Sequence, residues 1–459
     1  MGGGELVRPA PPVADGWPVS KEAQHLGDAR QASQTAWRDF FPDPRLQVLI
    51  ERALENNRDL RIAVGRLQAA RAEFGIASAG VLPGINASLS QSTQGRSAEL
   101  AGAGNPLTAR RTDLSLGVVS FELDLWNRLG SLSDSAKSTY LATEAARRGV
   151  RLSLISEVAS TYFNLLELDE RIEISQRGFD LRQQSLGLTD IAYTTGFVSI
   201  QDKLAAEGRV ENARSDLAQL RRQRAVAQNK LGYLVGTSLD NVPEGRPLGG
   251  QDVENNLAPG LPAEVLLERP DVVEAEQRLR AAHANVGAAR AAFLPKILLT
   301  AALGLASRSL TGLFGPGQGA WNFQPSMSLP LFDWGKTQGG VDAAEARKNI
   351  AVAEYERALQ GSFREVADLL AIRESLLEQG RSADTQVGFN EQRLESVRAW
   401  QREGVASLLN VFDAEQEYLL ARQGALQLRR QQLENAAALY KALGGGEALA
   451  SGSDTLALR

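Results

Sequence analysis

The prolines of this 459-residue chain are unevenly placed, and no other feature limits the fold more. None lies between Pro106 and Pro243, and none follows Pro330. Proline in a helix interior costs about 3 kcal/mol, so long proline-free tracts are where long helices can form. Both tracts are rich in Ala, Leu, Glu, Gln and Arg, all good helix formers. Apolar residues recur at threes and fours, as Leu152, Ile155, Val158, Tyr162 and Leu165, then Leu217, Leu220, Leu231 and Leu234. Leu419, Leu426, Leu433 and Tyr440 are spaced as a heptad seam. One helix over residues 133–193 would be roughly 90 Å long at about 1.5 Å per residue. Ordinary globular helices are far shorter.

The two tracts belong to a duplication. Asp59-Leu60-Arg61 leads through Arg66, Ala69, Ala70 and Gly75 to Leu82-Pro83-Gly84-Ile85. At a constant offset, Asp271-Val272-Val273 leads through Arg278, Ala281, Ala282 and Gly287 to Leu294-Pro295-Lys296-Ile297. Thr195-Gly196-Phe197-Val198-Ser199 recurs as Glu403-Gly404-Val405-Ala406-Ser407, and residues 231–236 recur as 439–444.

Between each Leu-Pro box and its helical tract lie two alternating segments. Trp321, Phe323, Pro325, Met327, Leu329 and Leu331 interleave with Asn322, Gln324, Ser326 and Ser328. Ile297, Leu299, Ala301, Leu303 and Leu305 are separated by mostly small residues. Ile85, Ala87 and Leu89 alternate with Asn86, Ser88 and Ser90, and Leu114, Leu116 and Val118 with Ser115 and Gly117. Period two with one apolar face predicts strands between two environments. After Val118 the phase flips to Val119, Phe121, Leu123 and Leu125, which predicts a bulge or an exit from the sheet. From alternation alone a small soluble sheet on helices is the better reading. Lengths near the roughly 9–11 residues of a tilted transmembrane strand point to lipid. So do the Ser, Asn, Gln and Gly faces, the long Gly-rich loops at 93–112 and 307–320, and Trp126, Trp321 and Trp334 near strand ends. Four strands cannot close a barrel, so strands in lipid require several chains.

The remaining composition excludes more than it assigns. No apolar run approaches a membrane-spanning helix. A net charge of −5 offers no case for nucleic-acid binding. With no cysteine and two histidines, His25 and His283, thiolate chemistry and nearly every zinc site are ruled out. His283 reads as a surface or packing residue in an Ala-rich helix, Arg269-Pro270-Asp271 as a helix boundary, and Gly444-Gly445-Gly446 as a helix cap. No catalytic, metal or nucleotide signature is present, so neither enzyme activity nor a cofactor is expected. Met-Gly-Gly-Gly at the start resembles an added leader before a mature chain.

Further stretches carry a resemblance. They are Trp37-Arg38-Asp39-Phe40-Phe41 with Asp43-Pro44, and Ala53-Leu54-Glu55-Asn56-Asn57-Arg58-Asp59-Leu60. Phe121-Glu122-Leu123-Asp124-Leu125-Trp126, Glu268-Arg269-Pro270-Asp271 through Pro295, and Lys441-Ala442-Leu443-Gly444-Gly445-Gly446 complete the set. In order along nearly the whole chain, the sequence resembles the TolC-like outer-membrane efflux proteins, and among them the lipoprotein-type subunits of tripartite RND multidrug pumps. The resemblance implies an α+β, internally duplicated fold. Four transmembrane β-strands per subunit would share a twelve-stranded barrel in a homotrimer, and long coiled-coil α-helices would form a periplasmic tunnel. It implies an N-terminal arm and first helix at 1–82, strand pair one at 83–125 and helical hairpin one at 126–236. An equatorial linker at 237–268, a first helix of repeat two at 269–294, strand pair two at 295–333, helical hairpin two at 334–443 and a tail at 444–459 follow. The implied role is a passive exit duct from periplasm to exterior in the Gram-negative outer membrane. Its implied partners are outer-membrane lipid, a periplasmic adaptor protein and an inner-membrane RND transporter, with no nucleic acid. Val7-Arg8-Pro9 and Pro11-Pro12-Val13 resemble first mature residues that usually follow an acylated cysteine, so a native N-terminal lipid anchor is expected.

The turns at Gly196, Val198 and Ser199, and at Gly404, Val405 and Ser407, are the expected hairpin tips and adaptor contacts. By resemblance, Leu409, Asn410, Asp413 and Asp202 form the periplasmic gate and selectivity ring. From spacing alone Asp413 and Asp202 read as solvated first-turn acids, and the resemblance reverses that. Family members often carry a second acid where Asn410 stands, an arginine at Gln416 and a tyrosine at Gln401. A weaker charge ring is therefore expected here. The rival readings are a type I protein secretion channel of the same family and a soluble coiled-coil scaffold. Heavy-metal export is less favoured, because only Met1 and Met327 offer thioethers.

Overall fold

The computed structural model describes residues 16–17, 35–95, 108–253 and 262–446. The motifs at 7–13, His25, the middle of the first inter-strand loop and the tail after Gly446 lie outside the described residues. In chain order, α1 is Trp37–Phe40, α2 Pro44–Asn56, α3 Arg58–Ala79, β1 Ile85–Gly95 and β2 Thr108–Glu122. The long helices α4 (Arg128–Thr194) and α5 (Ile200–Val235) follow. The second half has α6 Pro262–Glu268, α7 Pro270–Ala291, β3 Lys296–Ser307, β4 Gly319–Ser328, α8 Lys336–Arg402 and α9 Leu408–Ala442. The duplication is metric as well as sequential. Helices α3 and α7 both have 22 residues, and α4 and α8 both have 67. At about 1.5 Å per residue, α4 and α8 each run roughly 100 Å.

The chain divides into two compact units. One holds Gly65–Glu144 and Glu274–Glu356, and contains an antiparallel sheet in the order β1-β2-β3-β4. β1 and β4 are its edges. The phase flip after Val118 is a bulge. Val118 pairs with Ala301 and Phe121 with Leu299, so Val119 and Ser120 together oppose Thr300. Ser120 takes φ 54°, and its N–H donates to Thr300 Oγ1 at 3.2 Å. The extra residue returns Phe121 to the face of Val118, so the sequence changes phase while the apolar face does not. β2 is longer than the alternation indicated. Arg110, Arg111 and Thr112 pair with Thr93, Ser92 and Gln91, because backbone pairing does not need an apolar side chain.

The other unit holds the described residues of Pro11–Val64, Ala145–Val273 and Arg357–Arg459. Phe40, Phe41, Tyr162, Phe163 and Tyr440 are fully buried, with Phe40 stacked on Tyr440 at 4.5 Å. Each such side chain contributes about 1.5–3 kcal/mol by leaving water. Asp43 caps α2 through Arg45 N–H at 2.8 Å and accepts from Tyr162 Oη at 2.9 Å, Arg246 N–H at 3.0 Å and Gln251 Nε2 at 2.5 Å. Burial, with Asp43 beside it, pushes the Tyr162 hydroxyl far above its ordinary value, so it stays a donor. The boundary motif also repeats in three dimensions. Asn57 Nδ2 donates to Leu234 O at 2.9 Å, while Arg269 Nη1, at the equivalent place, donates to Ala442 O at 2.8 Å. Gly444 (φ 75°) and Gly446 (φ 70°) close the end of α9, which is the helix-cap role read from the sequence.

Candidate functional site

The sheet presents two chemically distinct faces. On one, cross-strand rows align Ala87, Leu116, Leu303 and Trp321, then Ile85, Val118, Ala301 and Phe323. Apart from half-buried Val118 and Ala301, these side chains stand in the open: Trp321 is 81% exposed and Leu303 68%. On the other face Asn86, Gly117, Ala302 and Asn322 align, and the Ser88 and Ser115 hydroxyls bond at 2.9 Å. This polar face is crowded. A Cβ on Gly117 would sit 2.6 Å from Ala302 Cα, and one on Gly304 2.7 Å from Ser115 Cα. Residues 85–95, 114–121, 297–307 and 319–328 carry no charged side chain. Charges bracket that band. Arg111 bonds Asp113 at 2.8 Å at the loop end, and Glu122 holds Arg128 at 2.7 Å and Lys296 at 3.0 Å at the helix end. A charge-free band with one exposed apolar and one polar face suits a wall between lipid and water.

The hairpin turns are built alike. Gly196 (φ 79°) and Gly404 (φ 78°) occupy the left-handed conformation that ends α4 and α8. Phe197 N–H returns to Ala192 O at 2.8 Å and Val405 N–H to Trp400 O at 2.9 Å. Ser199 and Ser407 then open α5 and α9 with capping boxes. In the first, Asp202 Oδ2 accepts from Ser199 N–H at 3.0 Å and Oγ at 2.7 Å. In the second, Asn410 Oδ1 accepts the same pair at 3.0 and 2.6 Å. Those Ser199 bonds hold the Asp202 carboxyl below its ordinary pKa.

The expected gate residues are thus two kinds of group. Asp202 and Asn410 are engaged with their own turns, whereas Leu409 and Asp413 are exposed on α9. Val411 and Ala414, on the other side of α9, pack with Leu394 of α8. Val198 is half-buried, and Val405 is 76% exposed. Sequence reasoning passed over Phe197, which is 86% exposed at the first tip. Its signal was available, since it stands where Val405 stands in the second repeat. It also passed over the braces below the tips. Lys203 bonds Asp190 at 2.9 Å beneath the first, and Arg398 bonds Glu415 at 2.8 Å beneath the second, with Arg393 paired to Glu417. Among the described residues no helix is long and apolar enough to cross a membrane, and no cluster of His, Asp and Glu could hold a metal ion.

Comparison with known proteins assigns this architecture. Residues 49–237 and 261–445 match the family described as Outer membrane efflux protein, and the chain belongs to that family. It is 38% identical to the cation efflux system protein CusC of Escherichia coli O157:H7, over 96% of this chain and 95% of that one. It is 37% identical to the toluene efflux pump outer membrane protein TtgC of Pseudomonas putida, over 97% and 93%. The open-state crystal structure of the Neisseria gonorrhoeae MtrE outer membrane channel superposes with a TM-score of 0.86 at 36% identity, covering 96% of this chain and 98% of that one. The protein is therefore an outer-membrane efflux channel component and not an enzyme. Relatives such as TtgC are named as outer membrane proteins of efflux pumps.

Proposed function

We propose that three copies close their sheets into one twelve-stranded barrel, apolar face to lipid and polar face to a wet lumen. The observation that carries this is a four-stranded sheet with a charge-free middle band, whose apolar face is exposed and whose two edges are open. Each unpaired backbone group in hydrocarbon costs several kcal/mol, so further copies must supply the missing strands. A second surface fits the same reading. Ile372, Phe389 and Trp400 are exposed on α8 within one stripe about 100° wide, as a helix packing against another copy requires. Light scattering of detergent-solubilised protein should give a trimer, and a monodisperse monomer would defeat the proposal.

The helices then line a periplasmic tunnel that ends at the hairpin turns. There Gly196, Val198, Ser199, Gly404, Val405 and Ser407, with exposed Phe197, form the adaptor contact. Leu409 and Asp413 form the closing ring on a rim shaped by Asp202 and Asn410. Three converging Asp413 carboxylates favour cations and repel one another. Asp413→Ala should raise the single-channel conductance of the trimer in a planar bilayer, and an unchanged closed state would remove the gate from this position.

The inner-membrane partner is an RND transporter, and the N-terminus carries a lipid anchor that intact-mass measurement on native membranes would reveal. The cargo is drugs and other small molecules, selected by the pump and not by the duct. Relatives named for cations and for toluene match this chain almost equally, which supports a permissive duct. A deletion strain should become hypersensitive to apolar antibiotics. Hypersensitivity confined to heavy-metal cations would reassign the cargo, and loss of a secreted protein would favour type I secretion.

A further inference from the structure

We propose that Pro325 makes the β4 edge one-sided, able to accept β1 of a second copy but not a second β4. The inference rests on the ring of copies proposed above. It starts from which way each backbone group points. Ala306 N–H donates to Gln318 O at 2.9 Å, so even-numbered β3 residues face β4. Leu123 N–H donates to Ile297 O at 2.9 Å, so odd-numbered ones face β2. The β3–β4 register is unbroken from Lys296–Ser328 to Leu305–Gly319, and it pairs Leu299 with Pro325. Leu299 faces β2, so the Pro325 nitrogen faces the open edge, where a proline can sit without breaking the sheet.

The same alternation turns the backbone of Ile85, Ala87 and Leu89 outward on β1, which contains no proline. A β1–β4 seam therefore lacks one donor. An antiparallel β4–β4 seam places both Pro325 residues inside the overlap, removes two donors and strands two carbonyls. It would also turn one copy end over end. Open edges invite this kind of self-pairing, and a proline on the edge is a recognised way to prevent it.

The chain has no cysteine, so the test can use engineered ones. Two copies of position 324 meet when β4 strands pair about their middle, and they stay apart in a closed ring. Gln324→Cys protein, oxidised while refolding in detergent, should remain a single-chain band. Adding Pro325→Thr should raise the disulfide dimer about thirtyfold, the factor that two restored backbone hydrogen bonds carry at ordinary net strength. Pro325→Ala serves as a second variant should the threonine chain fail to fold. Equal dimer yield with and without the proline would overturn the one-sided edge. The ring is tested separately, with Ser88→Cys combined in turn with Asn322→Cys, Gln324→Cys and Ser326→Cys in isolated outer membranes. A cross-linked ladder ending at three chains is expected, and its absence in every combination would defeat the ring itself.

Discussion

The two repeats perform the same backbone tasks, each time with a neutral side chain in one repeat and a charged one in the other. At the boundary before the first helix, repeat one uses neutral Asn57, and repeat two uses Arg269 for the equivalent carbonyl. At the hairpin tip the assignment reverses: Asp202 closes the first capping box and Asn410 the second. Hydrogen-bond geometry is what each position had to keep, since an orphaned helix-terminal group is costly wherever it is buried. Charge was free to diverge. It diverged into a network at Arg269, whose guanidinium also holds Asp271 at 2.8 Å and Glu365 at 2.6 Å. Burial alone would push the Asp271 carboxyl up, but its bonds to Arg269, Ser362 Oγ and Val272 N–H together hold it below the ordinary value. Among the described residues the Asn57 side chain makes two bonds, to Leu234 O and from Leu60 N–H.

Truncating the two boundaries should show the largest asymmetry. Arg269→Ala leaves the Ala442 carbonyl without its donor and the partly exposed Asp271 and Glu365 without their cation, and should cost about 2–3 kcal/mol, the strength of bonds to a charged group. Asn57→Ala should cost about 1–2 kcal/mol. Denaturant unfolding in detergent with equal losses would break the comparison. At the tips, Gly196→Ala and Gly404→Ala should each cost about 1 kcal/mol, because both glycines hold positive φ. A marked inequality would mean that the two turns are loaded differently in the assembly.

The smallest effect is the most specific. A carboxyl whose pKa is lowered on folding stabilises above its unfolded value, and that contribution disappears as pH falls through the folded value. Amide protection at residues 200–203 should therefore decline as pH drops below the ordinary carboxylate range. Protection at 408–411, capped by Asn410, should not. Hydrogen exchange corrected for intrinsic rates measures both, and Asp202→Asn should abolish the difference. Equal pH responses in the unaltered protein would show that the Asp202 charge does not hold its turn.

Helix tracts, strand alternation, the repeat and the turn glycines were legible in the sequence because each is a local, periodic signal. The phase flip after Val118 was legible as an irregularity, though its outcome was not. Only pairing with Thr300 shows that the bulge keeps the apolar face continuous. The capping boxes at Ser199 and Ser407 were within reach, since their partners lie three residues on. Their effect on the expected gate was not drawn, and it separates engaged Asp202 and Asn410 from exposed Asp413.

By itself the sequence determined that this chain makes long helices and half-apolar strands twice over, since secondary structure follows local spacing and proline placement. The tertiary structure decided where polar groups find partners. Asp43 meets Tyr162 and Gln251 across 119 and 208 residues of chain, and Pro325 turns its nitrogen outward only through the register of β3. Such contacts join residues that share no local period, so only the folded backbone brings them together.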